Sequence, residues 1–234
     1  MWKAVILAAG RGTRMGDLTN GTPKPLLKVL GKTLLERKLD ELPESIHEII
    51  IIVGYHGEQI IESLGDQYKD KKISYVWQKE LKGTAHALWQ AKGLLKGRFL
   101  VLMGDDIYCK EDIDACLKED WAVLVKEVDF LEAGGKVVLN PDGSLKDIVE
   151  GAHHHEHNAL VNAGLYVLGP EIFDYDLVQI PGKTEYGLPQ TLIPLLGKFS
   201  IKVVKSKFWL SQTAPNDLET AEKELLSGTR ESKT

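Results

Sequence analysis

Ala4-Val5-Ile6-Leu7-Ala8-Ala9-Gly10-Arg11-Gly12-Thr13-Arg14-Met15-Gly16, followed closely by Thr22-Pro23-Lys24-Pro25, decides how this chain is read. The apolar run at 4–7 suits a buried strand, and residues 8–13 suit the loop that leaves it. So few side chains let backbone N–H groups approach an anion and converge on it. Arg11 and Arg14 add fixed positive charge, and Lys24 sits between two prolines that stiffen its backbone. The combination suggests a polyphosphate site. It is not a dinucleotide fingerprint, because Gly10, Gly12 and Gly16 give G-x-G-x-x-x-G, one residue too long. Gly31-Lys32-Thr33 is not the end of a P-loop either, since Leu26 stands where that motif begins with glycine.

Outward from that stretch, strand-like runs at 3–7, 48–53, 73–77 and 99–103 alternate with helical patterns at 33–42, 57–64 and 84–95, the last with Thr84 as N-cap. Such alternation predicts parallel strands joined by crossover helices. From Cys109 onward the pattern is less regular. Strands are expected at 121–125, 136–139, 145–149, 161–168 and 201–204, and a helix at 186–197. Asn140-Pro141-Asp142-Gly143 is a turn signal that predicts a hairpin over 135–149. A closing helix should run from Pro215 to Leu226, ahead of a polar, frayed tail at 227–234. The expected architecture is α/β, one domain over 1–234 with halves at about 1–108 and 109–226.

Lys and Arg number 29 against 34 Asp and Glu, a net charge of −5. That balance argues against nucleic acid or an anionic membrane as partner, so an anionic substrate must be held by local positive charge. Cys109 and Cys116 have neither zinc spacing nor a disulfide framework and read as ordinary thiols. The apolar run at 4–9 is too short for a secretory signal, and Ile49–Val53 is far too short for a membrane span. A soluble, cytoplasmic protein is expected, with homo-oligomerisation left open.

Three further places carry chemistry. Gly104-Asp105-Asp106 follows the strand at 99–103, where open α/β sheets put their ligands. A carboxylate there suits Mg²⁺, which takes few carboxylate oxygens, and equally suits a solvated turn. The Gln78 amide offers a donor and an acceptor side by side, matching a pyrimidine's imide edge. His153-His154-His155-Glu156-His157 reads as an exposed loop, because adjacent histidines seldom form one pre-organised metal site.

The string Leu7-Ala8-Ala9-Gly10-x-Gly12-Thr13-Arg14-Met15, with Pro23-Lys24-Pro25-Leu26, resembles the signature of sugar-1-phosphate nucleotidyltransferases. Gln78, Gly83, Thr84, Ala85, His86 and Ala87 resemble the Q-x-x-x-x-G-T-A-H-A of its uridylyl and thymidylyl members. Gly134-Gly135-Lys136-Val137-Val138, Ile148-Val149-Glu150 and Asn162-Ala163-Gly164-Leu165-Tyr166 resemble its later motifs, in the right order. The resemblance implies a Rossmann-like mixed, mostly parallel sheet flanked by helices, the nucleotide-diphospho-sugar transferase fold. A nucleotide half would come first and a sugar half second. The implied reaction is nucleotidyl transfer from UTP or dTTP to a sugar 1-phosphate, with Mg²⁺ as cofactor. Arg14, Lys24 and Asp105 would be catalytic, with Asp105 on the metal. Leu7, Ala8, Ala9, Gly10, Gly12, Thr13, Arg14, Lys24, Gln78, Gly83, Thr84 and Gly104 would bind nucleotide. Gly135, Glu150 and Asn162 would bind sugar, and His86 reads as a packing or supporting residue.

Two departures qualify this. Ser211, in Trp209-Leu210-Ser211-Gln212-Thr213-Ala214-Pro215-Asn216-Asp217-Leu218, stands where the family carries a second metal-binding aspartate. Ser211 or Gln212 is left as the replacement ligand, and Asp217 as a helix cap. Gly151-Ala152 stand where many members have Lys-Pro, leaving the cation for the sugar phosphate unassigned. The rivals are a cytidylyltransferase acting on phosphocholine or a similar phosphate monoester, and a catalytically impaired nucleotide-sugar-binding subunit. Some relatives continue into an acyltransferase β-helix; no such second activity is expected here.

Overall fold

The computed structural model describes residues 2–227, apart from the side chains of His154 and His155. Eight strands form its sheet: β1 (Trp2–Ala8), β2 (Ile46–Val53), β3 (Gln67–Tyr68), β4 (Lys71–Trp77), β5 (Phe99–Met103), β6 (Ala122–Leu139), β7 (Leu145–Leu168) and β8 (Lys202–Lys205). Their order is β8-β6-β7-β5-β1-β2-β4-β3. β1 pairs in parallel with β2 and β5, β2 with β4, and β6 with β8; β7 runs antiparallel to both β5 and β6. The sheet is thus mixed and mostly parallel, with helices on both faces, as expected.

Two-residue periodicity sorts the central strands between the faces. Val5, Leu7, Ile50, Ile52 and Val101 pack with Ala85, Leu88, Leu188 and Leu192 of helices α3 (Thr84–Trp89) and α5 (Leu188–Leu192). Ala4, Ile6, Ile49, Ile51, Leu100 and Leu102 pack on the other face. Their partners there are α1 (Leu34–Glu41), α2 (Gly57–Leu64) and α4 (Lys110–Cys116). Each fully buried aliphatic side chain contributes roughly 1.5–3 kcal/mol, which is why strands apolar on both faces hold the middle. The chain order reverses between β1 and β5, and ligands of open α/β sheets bind outside the carboxyl ends at such a point.

The second half departs from the reading by pattern. The strands expected at 121–125 and 136–139 are one strand, β6, and those at 145–149 and 161–168 are one strand, β7. His153–His157 therefore lie within β7 rather than in a loop, because β6 supplies partners such as Phe130 for His157 and Leu131 for Glu156. The hairpin turn falls at Asn140–Gly143, with Gly143 N–H donating to the Asn140 carbonyl at 2.9 Å. The helix expected over 84–95 ends at Trp89 and resumes as a 3₁₀ turn at Lys92–Leu94. The one expected over 186–197 is α5 followed by a 3₁₀ turn at Ile193–Gly197. α6 (Pro215–Leu226) closes the fold, and the tail beyond Ser227 lies outside the described residues. Among the described residues no helix is long and apolar enough to cross a membrane.

α1 matters most to the site because it carries Lys38 beneath the cleft. A capping box starts it: Thr33 Oγ1 accepts from Glu36 N–H at 3.1 Å, and Glu36 Oε2 accepts from Thr33 N–H at 2.8 Å. On its solvent side Asp40 accepts from Lys32 at 2.6 Å, from Tyr68 at 3.1 Å and from Lys69. Burial alone would push the Asp40 carboxyl up, but the hydrogen bonds from Lys32, Lys69 and Tyr68 outweigh it and hold it at about 2. A carboxyl held down stabilises the fold above its unfolded value and loses that contribution as pH falls through the folded one. Asp40→Asn should therefore cost about 1 kcal/mol at pH 6, modest because both lysines are exposed. The gap in Tm from wild type, followed by circular dichroism, should narrow as pH falls from 4 towards 2; a constant gap would contradict the linkage.

Candidate active site

Loops from both halves enclose a cleft of about 1110 Å³ over the carboxyl ends of β1 and β5. Leu7, Ala8, Ala9, Gly10, Gly12, Thr13, Arg14, Lys24, Gln78, Gly83, Thr84, Asp105, Gly135, Glu150, Asn162, Ser211 and Gln212 all line it. Gly104 alone of the expected residues does not. Its N–H donates to the Leu7 carbonyl at 2.9 Å, and a Cβ there would sit 2.7 Å from that oxygen. Its lack of a side chain lets β5 approach β1 closely.

The loop after β1 turns at Gly12 (φ 65), where a Cβ would meet the Lys24 Cβ at 2.9 Å. Glycine thus lets the loop lie against Lys24. Thr19 Oγ1 and Met15 N–H both donate to the Gly12 carbonyl, at 3.1 and 2.9 Å. The far side is held by the turn after β2. Tyr55 hydroxyl reaches the Asn20 carbonyl at 3.3 Å, Gln59 Nε2 donates to Gly21 at 2.9 Å, and the Arg11 guanidinium lies 5.3 Å over the Tyr55 ring. Arg11 and Arg14 remain exposed.

Across from this loop, Asp105 and Asp106 leave the end of β5 with two adjacent carboxylates. Lys24, nearly buried, donates to Asp105 Oδ2 at 2.5 Å. Asp106 is buried and accepts from Trp209 Nε1 at 3.2 Å, while its carbonyl accepts from Lys38 Nζ. The Tyr108 hydroxyl donates to the Ala163 carbonyl at 2.9 Å, 3.4 Å from Asp106 Oδ2. Burial and the Asp105 charge push the Asp106 carboxyl up to about 7 against the attraction of Lys38. Burial likewise pushes Lys38 down to about 8, opposed by Asp106 and Asp105. Trp209 reaches this place because Asp112 accepts from Lys207 N–H at 2.9 Å and Phe208 N–H at 3.1 Å. Lys38 was not singled out from the sequence. Its signal was a lysine on the buried stripe Leu34, Leu35, Lys38, Leu39.

On one wall of the cleft Gln78 is buried, with Nε2 donating to the Gly83 carbonyl at 3.1 Å and lying 3.0 Å from His86 Nδ1. Gly83 (φ 94) also admits the second half, since a Cβ would lie 2.4 Å from the Tyr186 carbonyl oxygen. Thr84 is not the expected N-cap: Gly83 holds that position, and Thr84 Oγ1 accepts from Leu188 N–H at 2.9 Å. On the opposite wall Gly135 pairs with Glu150, whose Oε1 would lie 2.8 Å from a Cβ at 135. Burial pushes the Glu150 carboxyl up, against Lys183 and His153. Asn162 donates to the Tyr166 hydroxyl at 2.7 Å and accepts from Gly164 N–H at 3.1 Å.

Among the described residues no three His, Cys, Asp or Glu side chains are grouped to hold a metal. Mg²⁺ does not require that, since it keeps water and phosphate oxygens beside one or two carboxylates. Asp105 offers a carboxylate in the cleft. Gln212, 1% exposed, offers an amide with no hydrogen-bond partner on either atom among the described residues. Ser211 Oγ is 3.1 Å from Thr213 Oγ1. The donor set fits a metal that arrives with phosphates. Asp217 is not part of it: as expected it caps α6, accepting from Thr213 and Ala214 N–H at 2.6 and 2.7 Å.

A glycine-lined loop, exposed arginines and a strand-end carboxylate over a topological switch point define an α/β protein built for phosphorylated ligands. The chain belongs to the nucleotidyl transferase family, whose model matches residues 3–210. The UTP–glucose-1-phosphate uridylyltransferase AglF of Haloferax volcanii is 34% identical over 235 residues, covering 95% of this chain and 96% of that protein. The bifunctional protein GlmU of Methanocaldococcus jannaschii is 33% identical over 226 residues. That match covers 95% of this chain but 54% of GlmU, so the chain spans about half that relative's length. A Bacillus anthracis structure assigned as a glucose-1-phosphate thymidylyltransferase, bound to a sucrose, has the same fold. It superposes with a TM-score of 0.83 at 22% identity, covering 100% of this chain and 97% of that one. The family is of sugar-1-phosphate type.

Lys38→Met should leave Asp106 buried without its cation and cost about 3 kcal/mol, as when one partner of a buried charge pair is removed. Urea unfolding at pH 7 measures it. A change within about 0.5 kcal/mol would show that Lys38 does not support Asp106.

Proposed function

We propose that this protein transfers a nucleotidyl group from UTP or dTTP to a sugar 1-phosphate, releasing pyrophosphate. One observation carries the reading. The cationic loop, the Lys24–Asp105 pair and the polar wall of Glu150 and Asn162 all face one cleft. The likeness to AglF supports the substrate class.

A sugar-phosphate oxygen attacks the α-phosphorus, and the bond from that phosphorus to the bridging oxygen of pyrophosphate breaks. The nucleophile is already anionic, so no general base is needed. The protein must instead bring two polyanions together and balance charge as pyrophosphate leaves. Backbone N–H groups of residues 8–13 and the Arg14 guanidinium hold the β- and γ-phosphates. Lys24, drawn away from Asp105 as phosphate enters, moves to the α-phosphate. Asp105, with Gln212 or Ser211 from the same cleft, would hold Mg²⁺, which when bound supplies charge neutralisation at the phosphates. Gln78, Gly83 and Thr84 take the base; Gly135, Glu150 and Asn162 take the sugar hydroxyls. In this reading the nucleotide half is 1–108 and the sugar half 109–226.

The departures at Ser211 and Gly151 keep one other reading alive, a subunit that binds nucleotide sugar without turnover.

Pyrophosphate release from a panel of triphosphates and sugar 1-phosphates with Mg²⁺ tests the proposal. UTP or dTTP should support turnover, and Lys24→Ala and Asp105→Ala should each lower it more than about 100-fold, the loss typical of removing one preorganised charge-stabilising group. Near-native turnover in either variant overturns the role assignments. Calorimetric binding without turnover in wild type favours the silent subunit.

A further inference from the structure

We infer that His86 is a positioning residue that locks the Gln78 amide so that only its oxygen faces the base, thereby selecting a base that donates at its ring nitrogen. This rests on the proposal that Gln78 reads the base.

A carbonyl oxygen can only accept. The Gly83 carbonyl, 3.1 Å from the Gln78 side-chain nitrogen, therefore settles which end of the amide is nitrogen. His86 Nδ1, 3.0 Å from that same nitrogen, must then accept the other N–H, which puts the imidazole proton on Nε2. Nε2 lies 3.4 Å from the side-chain nitrogen of the exposed Gln90, itself donating to the His86 carbonyl at 3.0 Å. Gln90 offers Nε2 only this longer contact, from an exposed side chain that can turn away, so the shorter contact from the buried Gln78 decides the tautomer.

Both N–H groups of Gln78 are spent on this arrangement. What remains is Oε1, which has no partner among the described residues, on a side chain lining the cleft. That oxygen suits the N3–H of uracil or thymine. Cytosine presents a lone pair at N3, so two acceptors would face each other. The choice between imide and cytosine edges then follows from a histidine that never touches the nucleotide. With His86 removed, the second N–H of Gln78 is free to turn into the cleft and accommodate the cytosine edge.

Two measurements on the intact protein test this. In ¹⁵N spectra of the histidine rings, assigned by the signals lost in His86→Asn, His86 should show an accepting Nδ1 and a protonated Nε2. In steady-state kinetics His86→Leu should raise KM for UTP or dTTP roughly three- to tenfold, the worth of one hydrogen bond, with little change in kcat. It should relax preference over CTP by a similar factor. His86→Asn, whose Oδ1 can accept in place of Nδ1, should restore both. A protonated Nδ1 overturns the proposal, as does a His86→Leu variant that keeps wild-type KM and preference, or a failure of His86→Asn to rescue. A wild type that prefers CTP overturns the base reading of Gln78 instead, and the ring spectra still decide the lock.

Discussion

Two neighbouring carboxylates at the end of a buried strand are the constraint around which the site is organised. Asp105 and Asp106 follow a β5 that is apolar along its length, and their charges would repel each other in a poorly solvated place. Two lysines from separate elements answer them. Lys24 comes from the Pro-Lys-Pro turn and meets Asp105 at the edge of the cleft; Lys38 comes from α1 and sits under Asp106. Trp209, delivered by the backbone hold of Asp112, closes the same corner. The outcome is a division of labour: Asp106 is buried between Lys38 and Trp209, while Asp105 lines the cleft with Lys24 as its partner.

The same economy appears where the halves meet. Tyr186 N–H donates to the Lys82 carbonyl at 2.8 Å, Ala85 N–H donates to the Tyr186 carbonyl at 3.0 Å, and Leu188 N–H donates to Thr84 Oγ1. These bonds stitch the segment after β7 to the turn that carries Gly83. On the other side β7 runs directly beside β5. Glu150 and Asn162 thus lie on the strand that runs next to β5, whose end leads into Asp105.

Much of this was legible in the residues. β1 and β2 declare themselves because a strand stretch buried on both faces, such as Ala4–Leu7 and Ile49–Val53, must be apolar throughout, and the loop after β1 because its glycines and arginines suit a bound anion. The strand end marked Asp105 as a candidate, while its position alone left a metal ligand and a solvated turn equally open. The misses have physical causes. The histidines at 153–157 lack a strand's alternation, and their strand form depends on β6, which lies tens of residues earlier in the chain. Lys38 is a lysine among leucines, and its counter-charge is 68 residues away. Gly104 sits inside a binding motif yet serves the approach of β5 to β1, a demand visible only once Leu7 is seen against it. Thr84 has an N-cap's residue type, but its hydroxyl is claimed by Leu188, from the other half.

The most direct measurement is a crystal structure with UTP or dTTP and Mg²⁺ bound. The account predicts triphosphate density along residues 10–14, metal density on Asp105, and Lys24 moved from Asp105 to the α-phosphate, with Asp106 still held by Trp209 and Lys38. A triphosphate bound elsewhere, or a metal on Asp106 with Lys24 still on Asp105, would contradict it.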